Sequence, residues 1–184
     1  MSVARARLLE LLRERSFERK RVVLASGKES DFFIDCKQAV LTAEGHVVTG
    51  EAMLEALAAW PDLAAVAGVE LGGCPLASAV ALTSFRRGAP LDAIYVRKDA
   101  KDHGSRRELE GNSRLHAGAR VALLEDVVTT GASTLKAAAK LVDAGYATAG
   151  VVALVDRLEG GREAIEAAGL ALSTLFTRRD FIPA

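Results

Sequence analysis

Apolar and polar positions along this chain fall into two alternating kinds of block. From residue 62 onward, short continuous apolar runs are each followed by apolar positions three and four apart. LAAVAGVE, LDAIYV, RVALLEDVV and ATAGVVALVD read as buried strands, with one more apolar run around Leu170 to Phe176. Between them, Leu76, Ala79, Val80 and Thr83 share one helical face. Leu135, Ala138, Ala139 and Val142 define another helix that stops at Gly145, and Gly161 to Ala168 reads as a third. Upstream, a helix is expected from Val3 to about Arg15. RVVLASGKESDFFIDC reads as two short extended pieces around a Ser26-Gly27 turn. Thr42 caps a helix running to about Trp60, with Glu44 in its first turn, Gly50, Leu54, Leu57 and Ala58 on one face, and Pro61 ending it. The segment Arg97 to Gly111, RKDAKDHGSRRELEG, has no apolar periodicity and reads as a long charged loop.

Continuous apolar strands are buried on both faces. Alternating with helices, they predict an α/β fold with a mostly parallel sheet flanked by helices. In such sheets ligands bind beyond the carboxyl ends of the strands. Those ends are Glu70 to Pro75, Arg97 onward, Glu125 onward and Asp156-Arg157, and every one carries charge or glycine.

Composition narrows the class. A length of 184 residues suits one domain, which buries roughly 70% of its unfolded surface. Lys+Arg and Asp+Glu are equal at 24 each, which argues against a bulk electrostatic footprint for nucleic acid or an anionic membrane. Cys36 and Cys74 lack CxxC spacing and a histidine cluster, so they read as two reduced thiols. The arginine-rich start is interleaved with Glu10, Glu14 and Glu18 and has no apolar core, so it reads as a surface helix. The longest uncharged run, Leu71 to Phe85, contains Gly72, Gly73 and Pro75 and is shorter than the ~18 residues of a membrane span. A cytoplasmic protein without a membrane partner is expected.

The most informative stretch is LLEDVVTTGAST, Leu123 to Thr134. A strand ends in Glu125-Asp126, and a small hydroxyl-rich turn leads into a helix. A helix start presents unpaired N–H groups and a positive dipole end. Thr129, Thr130, Ser133 and Thr134 add donors, and Gly131 permits close approach, so the turn can cradle a phosphate. An ordinary Thr/Ser cap would look the same by itself. No GxxxxGK[ST] and no GxG occurs, which excludes the P-loop and the dinucleotide fingerprint. The acid pair tips the balance. Two adjacent carboxylates at the end of an apolar strand are costly without partners. Beside a phosphate they suit the vicinal hydroxyls of a ribose 5-phosphate.

EDVVTTGAS resembles the phosphoribosyl pyrophosphate (PRPP) motif of type I phosphoribosyltransferases. VRKDAKDHG, Val96 to Gly104, resembles the catalytic loop of orotate phosphoribosyltransferases, and SGKESDFFID, Ser26 to Asp35, their base-binding segment. The likeness spans roughly Leu24 to Arg157. It implies the type I phosphoribosyltransferase fold: one domain over 1–184, a core of about 42–157, and a small hood from about 1–41 plus 158–184. It also implies the reaction of orotate with PRPP to give orotidine 5'-monophosphate, with Mg2+ bound mainly through PRPP and no dedicated protein metal site.

Residue roles follow from the resemblance. Lys101 and His103 match the loop lysine and histidine that close over the pyrophosphate of the neighbouring subunit, which implies a homodimer with the 97–111 loop serving the partner's site. Arg97 and Lys98 match further pyrophosphate contacts. Glu125 and Asp126 match the acids that hold the ribose. Val127, Val128, Thr129, Thr130, Gly131, Ala132 and Ser133 match the 5-phosphate cradle. Thr129, Arg157 and Phe33 match orotate contacts; Arg157 could equally pair with Asp156 or Glu159, and Phe33 could be core. Two family lysines are absent, at Ala25 and Gly72. Lys28 could replace the first, and the Gly72-Gly73 amides could form a pyrophosphate nest in place of the second. His46 and His116 match nothing and read as surface residues. Two other readings remain open: the same chemistry on uracil or a purine, and a PRPP-sensing regulator without catalysis.

Overall fold

The computed structural model describes residues 1–23, 29–98, 108–111 and 113–182. α1 (Val3–Arg15) begins where the Ser2 hydroxyl accepts from the Arg5 N–H at 3.2 Å, and it buries Leu8, Leu9, Leu11 and Leu12. β1 (Phe17–Glu18), β2 (Val22–Val23), β3 (Glu29–Ser30) and β4 (Phe33–Ile34) form two small antiparallel pairs, β1 with β4 and β2 with β3. The expected Ser26-Gly27 turn, with Ala25 and Lys28, lies outside the described residues. α2 (Lys37–Val40) and α3 (Ala43–Leu57) follow, and Thr42 caps α3 by accepting from the Gly45 N–H at 3.0 Å.

The alternating part comprises β5 (Ala65–Val69), α4 (Gly73–Arg86), β6 (Asp92–Val96), β7 (Leu109–Glu110), β8 (Arg120–Val128), α5 (Ala132–Asp143), β9 (Ala147–Asp156), α6 (Gly161–Ala167) and β10 (Leu172–Thr177). Six strands make one sheet in the order β10-β9-β8-β5-β6-β7. All neighbours are parallel except β7, which runs antiparallel to β6. Alternate residues of β8 point to opposite faces. Ala122 and Leu124 join Met53, Leu76 and Val80 in the core under α1, α3 and α4. Val121 and Leu123 join Ala137, Leu141 and Ile165 under α5 and α6. Fully burying such a Leu or Val side chain contributes about 1.5–3 kcal/mol, so the continuous apolar strand is a consequence of two covered faces.

Four expectations need correction. α3 ends at Leu57, and its buried stripe is Thr49, Gly50, Ala52, Met53 and Leu57, while Ala58 is exposed. The helix is covered on two sides, by α1 and α4, so its stripe is wider than one face. α5 buries Thr134, Ala137, Ala138 and Leu141, one step round from the expected face; Val142 is 60% exposed. The segment 97–111 is not all loop, because Leu109–Glu110 adds to the free edge of β6. The tail is divided: Leu172–Thr177 is an edge strand of the main sheet, whereas Phe181 packs against Phe17 and Phe32 beneath the hood strands.

Candidate active site

β8 ends in the acid pair. Glu125 is 5% exposed, and its Oε2 accepts from the Thr134 hydroxyl at 3.0 Å and from the Ser133 hydroxyl at 3.3 Å. Burial, then the adjacent Asp126 carboxylate, push Glu125 up from 4.5 to about 8, and the two hydroxyls only partly offset this. Asp126 is half-buried, and its Oδ1 accepts from the Val127 N–H at 2.9 Å.

The turn that follows has the shape of an anion cradle. Val128 buries its side chain in one core, while Val127 packs partly against the other and also lines the cleft. Thr130, Ala132 and Ser133 are exposed. Gly131 has φ 79°, a left-handed conformation that suits glycine, and it caps α5 without a side-chain bond. The start of α5 lies against the acids, where the Ser133 and Thr134 hydroxyls reach Glu125, and its first N–H groups lack intrahelical partners.

Opposite lies the end of β5. Glu70 and Leu71 are joined by a cis peptide, and Gly72 then leads into α4. Gly72 is right-handed helical and Gly73 is the first residue of α4, so these two glycines form a helix start rather than a concavity of alternating handedness. A cavity of about 390 Å3 lies beyond the two strand ends, lined by Lys37, Glu70, Gly72, Lys98, Asp126 and Ser133, among others. Lys98 is exposed, and its N–H donates to Glu70 Oε2 at 2.9 Å. Arg97 sits on the neighbouring wall, with its Nη1 at 3.6 Å from Glu110 Oε1.

The structure thus brings Lys98, Glu125, Asp126, Ser133 and Gly72 to one cleft. Lys101 and His103 lie outside the described residues. Arg157 is at the margin: it pairs with Glu159 at 3.0 Å, not with Asp156, and donates to Ser30 Oγ at 3.2 Å and to the Phe32 carbonyl at 3.1 Å. It therefore ties the hood to β9. The ring beneath its guanidinium is Phe32, fully buried, at 5.5 Å. Phe33 is half-buried, with the Lys20 ammonium 3.9 Å from its ring centre. His116 is exposed and His46 half-buried, both away from the acid pair. Burial pushes both thiols up, Cys36 well above its ordinary value and Cys74 to about 11, so both are protonated and unreactive.

Sequence reasoning missed Lys37. The start of α2 carries it to the cleft, where it pairs with Asp35 Oδ1 at 2.5 Å. Its pKa is raised, first by the Asp35 bond and further by the Asp126 charge. The available signal was its place just past the FFID segment, two residues after an acid.

Three comparisons bear on this cleft. The family model for the phosphoribosyl transferase domain matches residues 50–168. The orotate phosphoribosyltransferase of Sorangium cellulosum (strain So ce56) is 70% identical over 97% of this chain and 93% of its own length. Among solved structures, Mycobacterium tuberculosis H37Rv orotate phosphoribosyltransferase in complex with Fe(III) dicitrate is 40% identical, with a TM-score of 0.83 over 97% of this chain and 99% of that one. The same enzyme in complex with PRPP is 36% identical, with a TM-score of 0.79 over 97% and 98%.

Proposed function

We infer how the cleft works from one premise: this chain belongs to the orotate phosphoribosyltransferases, within the phosphoribosyl transferase domain family. It transfers the 5-phosphoribosyl group from PRPP to orotate, giving orotidine 5'-monophosphate and pyrophosphate in pyrimidine biosynthesis. The observation that carries the residue assignment is the end of β8, where an acid pair, a left-handed glycine and a hydroxyl turn meet one cleft.

The Thr129 to Ser133 turn and the first amides of α5 hold the 5-phosphate, with Val127 and Val128 contributing their backbone. Glu125 and Asp126 accept the ribose hydroxyls. Arg97 and Lys98 stand on the pyrophosphate side, joined there by the neighbouring subunit's Lys101 and His103. The Gly72 and Gly73 amides, at the start of α4, serve the same group. Orotate lies toward Phe33, Thr129 and Arg157, whose guanidinium also holds Glu159, Ser30 and the Phe32 carbonyl. A ring nitrogen of orotate attacks the anomeric carbon and gives up its proton to solvent; the bond to pyrophosphate breaks and its electron pair leaves with the pyrophosphate. Fixed cations aimed at that developing charge lower the barrier. No protein nucleophile is needed.

Magnesium fits the donors here. Among the described residues no group of three or more Asp, Glu, His or Cys could hold a metal alone, but the half-buried Asp126 carboxylate is a hard oxygen ligand. Mg2+ binds through one or two carboxylates plus substrate phosphates, so PRPP's own oxygens would hold most of it. Bound there, it neutralises charge on the departing pyrophosphate.

The active unit in this reading is a homodimer in which Lys101 and His103 of the 97–111 segment serve the neighbouring site, while Arg97 and Lys98 stay at their own. Supporting it, one face of α4 presents Ser78, Leu82 and Phe85 beside Tyr95, whose hydroxyl bonds Ser78; Leu82 is 54% and Phe85 72% exposed. Such an apolar surface marks a protein contact. We place the dimer in the cytoplasm; among the described residues no helix is long and apolar enough to cross a membrane. The chain acts as one unit: β10 (Leu172–Thr177) belongs to the core sheet, and the hood is built from 1–41 with the end of the tail around Phe181. A panel of orotate, uracil, adenine and hypoxanthine with PRPP tests the base assignment. Orotate should be used and the others should not; equal turnover of uracil would overturn it.

A further inference from the structure

We propose that Lys140 is a positioning residue for the pyrophosphate-side cations, clamping the backbone at Arg97 and Lys98 so that Lys98 faces the acid pair. The proposal rests on the reading above, in which Arg97 and Lys98 serve the pyrophosphate.

Lys140 lies on α5, where periodicity would assign it an ordinary solvated charge. Its side chain is instead only 17% exposed. Its ammonium donates to the Arg97 carbonyl at 2.8 Å and the Lys98 carbonyl at 2.9 Å, and it reaches Glu108 Oε1 at 3.1 Å. An ammonium has three donors, and all three are used.

The three acceptors sit on both stems of the segment between β6 and β7. Arg97 and Lys98 leave β6, and Glu108 enters β7. The stems are also joined directly, since the Arg97 N–H donates to the Glu108 carbonyl at 2.9 Å.

The geometry has a consequence for Lys98. In an extended strand successive residues face opposite ways. Here two successive carbonyls turn to one nitrogen, so the chain must bend out of the strand at this point. The same residue is held from the other side, because its N–H donates to Glu70 Oε2. Glu70 and Lys140 thus fix the Lys98 peptide at both of its polar groups. Lys98 then lines the cleft that contains Glu125 and Asp126. Lys140 itself does not line that cleft; it lines the adjoining one with Arg97, Ser133 and Lys136. It acts through Arg97 and Lys98.

Binding of PRPP and of ribose 5-phosphate, which lacks the pyrophosphate, separates this role from a general structural one. Both are titrated by calorimetry against the full-length parent, Lys140→Met, Lys140→Arg and Lys98→Met. Lys140→Met should weaken PRPP by about tenfold, as loss of a charge-assisted anchor does, and ribose 5-phosphate by less than about twofold. Lys140→Arg, which can still fork to two carbonyls, should recover most of the difference. Should Lys140→Met fail to fold, Lys140→Gln is read the same way. Equal weakening of both ligands, or of neither, overturns the clamp. Lys98→Met must also weaken PRPP selectively; if it does not, the pyrophosphate assignment fails and the positioning role fails with it.

Discussion

The carboxylate of Asp126 fills the space that a side chain on Gly72 would need. A Cβ built on Gly72 runs into both Asp126 carboxylate oxygens. The backbone at Gly72 is ordinary right-handed helix, so sterics and not φ reserve this position for glycine. The contact is with the end of the Asp126 side chain, so a larger residue at Gly72 would have to move that carboxylate. Restoring the family lysine should do harm. Gly72→Lys is expected to displace Asp126 and lower kcat/KM for PRPP by about tenfold or more, in line with a misplaced reacting group. Parental or improved kinetics in that variant would show that the Asp126 carboxylate can move aside without loss.

Glu125 should make stability depend on pH. Its folded pKa is raised from 4.5 to about 8, first by burial and then by Asp126. The stability it contributes is therefore fully present below about 4.5 and is lost as pH rises through about 8. Glu125→Gln removes that dependence. Melting curves should show the variant gaining on the parent by a few degrees between about pH 5 and pH 8.5, while its turnover falls by about 10²–10³. A variant that tracks the parent at every pH would mean Glu125 is not buried as a neutral acid.

Lys37 should matter to PRPP and not to folding. It stands beside Asp126, and its own partner is Asp35. A half-exposed pair of this kind adds about 0–1 kcal/mol to stability, so Lys37→Met should melt close to the parent. Its cation at the cleft is worth more to an anionic ligand, and kcat/KM for PRPP should fall by about tenfold. A pure melting effect with intact kinetics would assign Lys37 to the hood alone.

Lys101→Ala should lower turnover by about 10²–10³, the loss typical of one transition-state donor. If that lysine serves the neighbouring subunit, mixing Lys101→Ala with Asp126→Asn should restore about a quarter of the parental rate, because each mixed dimer regains one whole site. No recovery on mixing would keep the loop within its own subunit.

Much of the site was legible because it lies on strand ends. RVALLEDVV announces a buried strand that stops in acids, and β8 spans those same residues. The face of α5 was not legible. Leu135 and Val142 compete, one position round, with the stripe that is buried. The hydrogen bond from Thr134 to Glu125 fixes the rotation, and no periodicity encodes it. β7 is two residues inside a charged run and exists only because β6 leaves a free edge. Lys37 and Lys140 were hidden for a related reason. Each looks like a surface charge in sequence and gains its partners from elements brought together by folding.

The most direct test of the account follows orotate absorbance in a mixture of the protein, PRPP and magnesium, beside Asp126→Asn. The parent should consume orotate only when PRPP and the metal are both present, and the variant should do so about 10²-fold more slowly. Orotate consumption that survives in Asp126→Asn at the parental rate would place the chemistry somewhere other than the end of β8.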